Sequence, residues 1–117
     1  MPPNFNLPKK ERLLKSGQFR FVLKNKTRLF CRGHAMIFAP NSLAINRLGL
    51  VAPKAKVRLS STRNRTRRFL REAYRQSKNK FKAGYDIILI INSPVDSLSC
   101  AEEIISEMFD KAKIRAK

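Results

Sequence analysis

The chain has 117 residues, one domain's worth and enough to bury a core without disulfides or metals. Its 26 lysines and arginines against 8 aspartates and glutamates leave a net charge of +18, yet 43% of its residues are apolar. That apolar share excludes a disordered basic tail, and the charge calls for a polyanionic partner.

The longest clearly apolar run, Ile87 to Ile91, falls far short of the roughly 20 residues that span a bilayer. The opening Met1-Pro2-Pro3-Asn4-Phe5 lacks the charged and apolar regions of a secretory signal, so a cytoplasmic location is expected. The cations are spread over several elements and not gathered on one amphipathic helix, which favours nucleic acid over a membrane surface.

Residues 1–12 contain Pro2, Pro3 and Pro8 and are expected to form a flexible basic arm before a single domain over 13–117. Ser16 is an N-cap candidate for a short helix to about Lys24, with Phe19, Val22 and Leu23 on one face and Phe21 pointing elsewhere. From Thr27 to Pro53 the pattern turns to period two. A strand is expected over Gly33 to Ala39, another from about Ile45 to Ala52, and a short one over Thr27 to Cys31, with a turn at Pro40-Asn41-Ser42.

A basic helix follows, expected to start near Arg58 and to end before Lys82-Ala83-Gly84. At about 100° per residue, Thr66, Phe69, Leu70 and Ala73 share one arc, joined upstream by Leu59 and Thr62. Asn64, Arg67, Arg68, Arg71 and Arg75 lie on the other side, where guanidinium groups can pair with phosphates or stack on bases.

Tyr85 to Ile91 is almost wholly apolar and reads as a strand in or near the middle of a sheet. Ser99-Cys100-Ala101-Glu102 is a capping-box pattern for a last helix, whose buried face is Ala101, Ile104, Ile105, Met108, Phe109 and Ala112. The order is αβββαβα, an α+β fold in two layers around one small sheet.

Catalytic groups are scarce. His34 stands alone in a strand, without a partner for general-base work, and reads as a packing or surface histidine. Cys31 and Cys100 lack the spacing of a zinc or redox motif, and a disulfide between them is not expected. Glu102, Glu103, Glu107 and Asp110 read as a solvated helix face and support a magnesium site poorly. The four glycines are isolated, so there is no phosphate-cradling loop, and Ser60 and Ser61 lack triad partners. The chain carries the means to bind a polyanion and no visible means to cut one.

Four blocks in order resemble the protein subunit of bacterial ribonuclease P: Arg12-Leu13-Leu14-Lys15-Ser16-Gly17-Gln18-Phe19, then Arg47-Leu48-Gly49-Leu50-Val51 with Lys54, then Arg63-Asn64-Arg65 through Arg75, then Gly84 to Ile91. The resemblance implies a four-stranded mixed sheet with three helices and a left-handed βαβ crossover. It also implies a role in which the RNA subunit removes the 5′ leader of precursor tRNA with Mg2+, while the protein binds that RNA and the leader.

By position, it implies that Lys54, Lys56, Arg58, Arg63, Asn64, Arg65, Arg67, Arg68 and Arg71 face the RNA subunit. Phe19, Leu23 and Phe38 would bind the leader, where stacking on rings tolerates variable sequence. The chain departs from the family at Leu23, where a second aromatic is common, at Lys54-Ala55, where Lys-Lys is usual and Lys56 would restore the charge, and at Pro53, where a small residue is common. Two other readings compete: a structural RNA-binder such as a ribosomal protein, and a DNA-binder. No helix at helix-turn-helix spacing precedes Arg63 to support the second.

Overall fold

The computed structural model describes residues 8–13, 16–24 and 27–114. Most of the expected arm, residues 1–7, and the basic tail beyond 114 lie outside them. The last part of that expected arm belongs to the fold: Lys9–Glu11 is a 3-10 turn, Arg12 bridges Leu48, and the Leu13 amide donates to the Leu48 carbonyl at 3.1 Å.

Helix α1 spans Ser16–Leu23, followed by strands β1 (Arg28–Cys31), β2 (His34–Pro40) and β3 (Arg47–Val51). Helix α2 is Ser60–Ser77, strand β4 is Tyr85–Ile90 and helix α3 is Leu98–Ala112. The strands lie in the order β1-β2-β4-β3, antiparallel except for β3 beside β4. Helix α2 makes the parallel connection from β3 to β4, so the sheet is mixed and β4 is interior, as its apolar run requires. Arg32 and Gly33 turn the β1–β2 hairpin with φ of 54° and 83°, the positive values that a two-residue turn needs.

Strand alternation sorts the core into two layers. Met36, Leu48, Ile87 and Leu89 face α2 and α3 and join Leu70, Tyr74, Ile104, Met108 and Phe109. Ile37 and Ile88 face α1 and pack on Leu13 and Val22. Both sides of β2 are therefore covered, with Met36 and Ile37 fully buried. The main layer closes on three rings: Phe81 and Phe109 stack with centroids 3.9 Å apart, and Tyr74 lies about 6 Å from each. Burial pushes the Tyr74 hydroxyl up to about 12.

Two helix starts differ from expectation. Helix α2 begins at Ser60, not near Arg58, because Leu59 adopts an extended backbone as its N-cap and is 68% exposed, outside the apolar arc. Helix α3 is capped by Ser97, two residues before the expected box, its hydroxyl accepting from the Cys100 amide at 3.1 Å. The side chain that can reach the third helical amide decides the cap, and at this backbone it is Ser97.

Candidate nucleic-acid interface

The β3–α2 connection builds a cationic corner. After β3, the Pro53 carbonyl accepts from the Lys56 and Val57 amides, a tight turn that leaves Lys54, Ala55, Lys56 and Arg58 exposed. The Arg63 guanidinium folds back to the Val57 and Arg58 carbonyls at 3.0 and 2.9 Å and braces the turn. Leu59 provides no side-chain cap, so the start of α2 lacks a capping acceptor beside these cations, an arrangement suited to anions.

Along α2, Asn64, Arg65 and Arg68 are exposed, while Arg63, Arg67 and Arg71 are half-buried. Asn64 accepts a hydrogen bond from Arg67 through its side-chain oxygen and steadies it. Arg65 reaches Asp96 at 3.4 Å, but both are exposed, and such a pair contributes little. The buried side of the helix holds Thr66, Leu70, Ala73 and Tyr74. Thr66 is fully buried because its hydroxyl accepts from the Val95 amide at 3.1 Å.

Glu72 was not anticipated on that buried side. It accepts from both Arg75 nitrogens at 2.9 and 2.6 Å and from Gln76 at 2.8 Å. The Arg75 hydrogen bonds hold its carboxyl below the usual range against the opposing effect of burial. Arg75 is thereby committed to a buried acid within the protein.

Of the three residues expected to bind a leader, only Phe19 and Leu23 lie on the α1 side of the sheet. Phe19 is half-buried against Leu13, Val22, Ile37 and Ile88, and Leu23 is 40% exposed at the end of α1. Phe38 is corrected by the structure. It shares the parity of Met36, faces α2 and α3, and meets Tyr85 edge-on at 5.9 Å and 74°. The β2 residue that reaches the α1 side beneath Phe19 is Ile37.

Gly49 matters for the same cleft. A Cβ there would lie 2.7 Å from two carbons of the Phe19 ring and 3.3 Å from Leu13. The glycine in β3 leaves room for that ring, a use of glycine that its place inside a strand signals. Gly49→Ala is expected to lose about 1–3 kcal/mol, the usual cost of overpacking, and to displace Phe19. An unchanged urea midpoint would show that the ring has room to spare. Phe19, Gly49, Arg12 and Arg71 line a cleft of ≈ 150 Å³ that joins the flank of α1 to α2.

His34 and Cys31 make their contacts within the protein. His34 is buried, its Nδ1 accepting from the Asn92 amide at 3.0 Å; burial, then the nearby Arg32 charge, lowers its pKa. Cys31 and Cys100 are free thiols, and Cys31 donates to Glu107, which with Glu103 also binds Arg32. Among the described residues no three His, Cys, Asp or Glu side chains gather as a metal site, and no helix is long and apolar enough to cross a membrane.

The sheet order, the cationic corner carried on its parallel crossover and the aromatic cleft beside it define an α+β RNA-binding protein. A family model described as Ribonuclease P matches residues 7–113. The "Ribonuclease P protein component" of Natranaerobius thermophilus is 37% identical over 108 residues, 90% of this chain and 92% of that protein. That of Azotobacter vinelandii is 35% identical over 104 residues, 88% of this chain and 78% of that protein. The RNase P protein of Staphylococcus aureus superposes with a TM-score of 0.79 at 22% identity, covering 91% of this chain and 98% of that one. The RNase P protein from Thermotoga maritima gives a TM-score of 0.73 at 23% identity, covering 86% and 96%.

The chain belongs to the ribonuclease P protein family. Its function is that of the protein component of this tRNA-processing endoribonuclease, and the ribosomal-protein reading is set aside.

Proposed function

We propose that the cationic corner of Lys54, Lys56, Arg58, Arg63, Asn64, Arg65, Arg67 and Arg68 binds ribonuclease P RNA, while the cleft of Phe19 and Leu23 holds the 5′ leader of precursor tRNA. The observation that carries this reading is the meeting of the two surfaces. Arg71 lines the Phe19 cleft and feels the charge of Arg67 one turn nearer the corner, so one helix serves both the corner and the cleft.

The protein's part is binding and orientation, and hydrolysis is assigned to the RNA. The residues of the corner do not make a site for Mg2+: all but Asn64 are cations, and the nearby carboxylate Asp96 is exposed and paired with Arg65. The ion is assigned to RNA oxygens. Arginines that neutralise phosphates near it would lower the concentration of Mg2+ that the RNA needs.

Reconstitution with a bacterial ribonuclease P RNA tests the reading: added protein should permit leader cleavage at lower magnesium, and no change would overturn it. Phe19→Ala should weaken precursor tRNA about tenfold relative to mature tRNA, a loss within the roughly 1–3 kcal/mol of one base-stacking contact. Phe38→Ala should lower the melting temperature and leave that ratio unchanged, since its ring packs on the other side of the sheet. A precursor-specific loss for Phe38→Ala with none for Phe19→Ala would reverse the assignment.

A further inference from the structure

Several arginines have an acid beside them. Arg47 has Asp86, Arg75 has Glu72 and Arg32 has Glu103 and Glu107. Arg12 and Arg71 form no ion pair with an acid among the described residues. The Nε of Arg12 is buried and, among the described residues, has no hydrogen-bond partner. Arg71 is half-buried and is destabilised as a cation, by burial first and then by the charges of Arg67 and Arg12. The adjacent acid, Glu11, is engaged by Lys78 at 2.9 and 3.1 Å.

This arrangement is unfavourable for the protein alone. A buried donor without an acceptor loses its hydration without replacement, and like charges held together repel. The backbone nevertheless holds Arg12 in place through its bridge to Leu48 and the Leu13 amide bond to the Leu48 carbonyl. Both residues line the ≈ 150 Å³ cleft that Phe19 also lines. An anion in that cleft would pair with the two cations and offset their repulsion.

We propose that Arg12 and Arg71 form a seat for one backbone phosphate of single-stranded RNA, placed so that a base of the same strand stacks on Phe19. A phosphodiester suits the seat because its two free oxygens accept the forked donors of guanidinium groups, and because the neighbouring ring suits a base. The inference rests on the leader reading and moves Arg71 from the RNA-subunit surface to the substrate. It adds Arg12, to which the family resemblance assigned no role.

The test uses holoenzyme reconstituted with ribonuclease P RNA and precursor tRNAs carrying a single neutral methylphosphonate at successive leader positions. With the unaltered protein, one position should cost about tenfold in affinity, close to the low end for a hydrogen bond to a charged group. With Arg12→Met the precursor should bind about tenfold more weakly, and the penalty at that position should vanish. Affinity for mature tRNA and for the RNA subunit should not change. Arg12→Lys should recover part of the loss. Arg12→Met should melt no lower than the unaltered protein, since it removes an unpaired buried donor.

Equal loss for mature and precursor tRNA, or identical methylphosphonate penalties with and without Arg12, would overturn the seat. A drop in melting temperature with the penalties retained would assign Arg12 to packing alone. If Phe19→Ala removes the preference for precursor while Arg12→Met does not, the seat fails and the leader reading stands. If neither removes it, the leader reading itself fails.

Discussion

Asp86→Ala is expected to destabilise the protein by about 3–5 kcal/mol, the cost of removing one partner of a buried ion pair. The Asp86 side chain is 3% exposed and accepts from Arg47 at 2.7 and 2.6 Å and from Asn41 at 2.9 Å. Arg47 and Asp86 are register partners at the start of the parallel β3–β4 ladder, so the pair sits where the crossover must align. The hydrogen bonds that Arg47 donates to Asp86 hold the Arg47 pKa above its ordinary value. Alanine leaves Arg47 without its carboxylate acceptor, while Asn41 keeps only the Ile45 carbonyl. Urea unfolding measures the loss, and a change under about 1 kcal/mol would show that the pair is not what holds this end of the sheet. Removing both charges, in Arg47→Met with Asp86→Leu, should recover most of the stability, because the penalty comes from the orphaned charge.

The largest expected effect on binding belongs to the double change Arg65→Ala with Arg67→Ala. Each lost charge-assisted contact is worth about 1.5–3 kcal/mol, so affinity for ribonuclease P RNA should fall by roughly 10²–10⁴. The salt dependence should flatten as well, by about 1.4–1.8 in the slope of log affinity against log salt if each arginine neutralises one phosphate. Arg65 spends its charge only on exposed Asp96, and Arg67 on Asn64, so the fold should survive both changes. The control is Lys80→Ala with Lys82→Ala, two exposed lysines beyond the other end of α2. That change removes the same net charge. If it flattens the slope equally, the binding comes from overall charge and not from the corner.

Much of the architecture was legible along the chain because local periodicity and burial agree. The apolar run of β4 marked an interior strand, and the arc of Ala101, Ile104, Ile105, Met108 and Phe109 marked the buried face of α3. Caps were less legible. Ser99 and Ser97 carry the same hydroxyl, and only the backbone angle at residue 97 selects between them. Glu72 was hidden for a related reason: a carboxylate on a basic helix reads as solvated, and its burial depends on Arg75 and Gln76 closing over it.

The cleft was half legible. Phe19 shares α1 with Val22 and Leu23, so its side of the sheet follows from helical spacing. Phe38 looked equivalent because it is aromatic and near the right place in the chain. One step along a strand reverses the face, and its parity with Met36 sends it to the opposite layer. Gly49 left a trace in the sequence as a glycine inside a strand, but the ring that requires it lies 30 residues earlier and is named only by the packing.

By itself the sequence determined the partner class, the order of elements and the basic character of α2, since net charge and periodicity are properties of the chain that folding does not alter. The tertiary structure decided which cations are engaged. Arg47, Arg75 and Lys78 find acids within the protein, while Arg12 and Arg71 meet across a cleft with none between them. That distinction depends on which distant segments the sheet brings together, here residues 12, 19, 49 and 71, and the strength of each electrostatic contact depends on the burial that packing imposes.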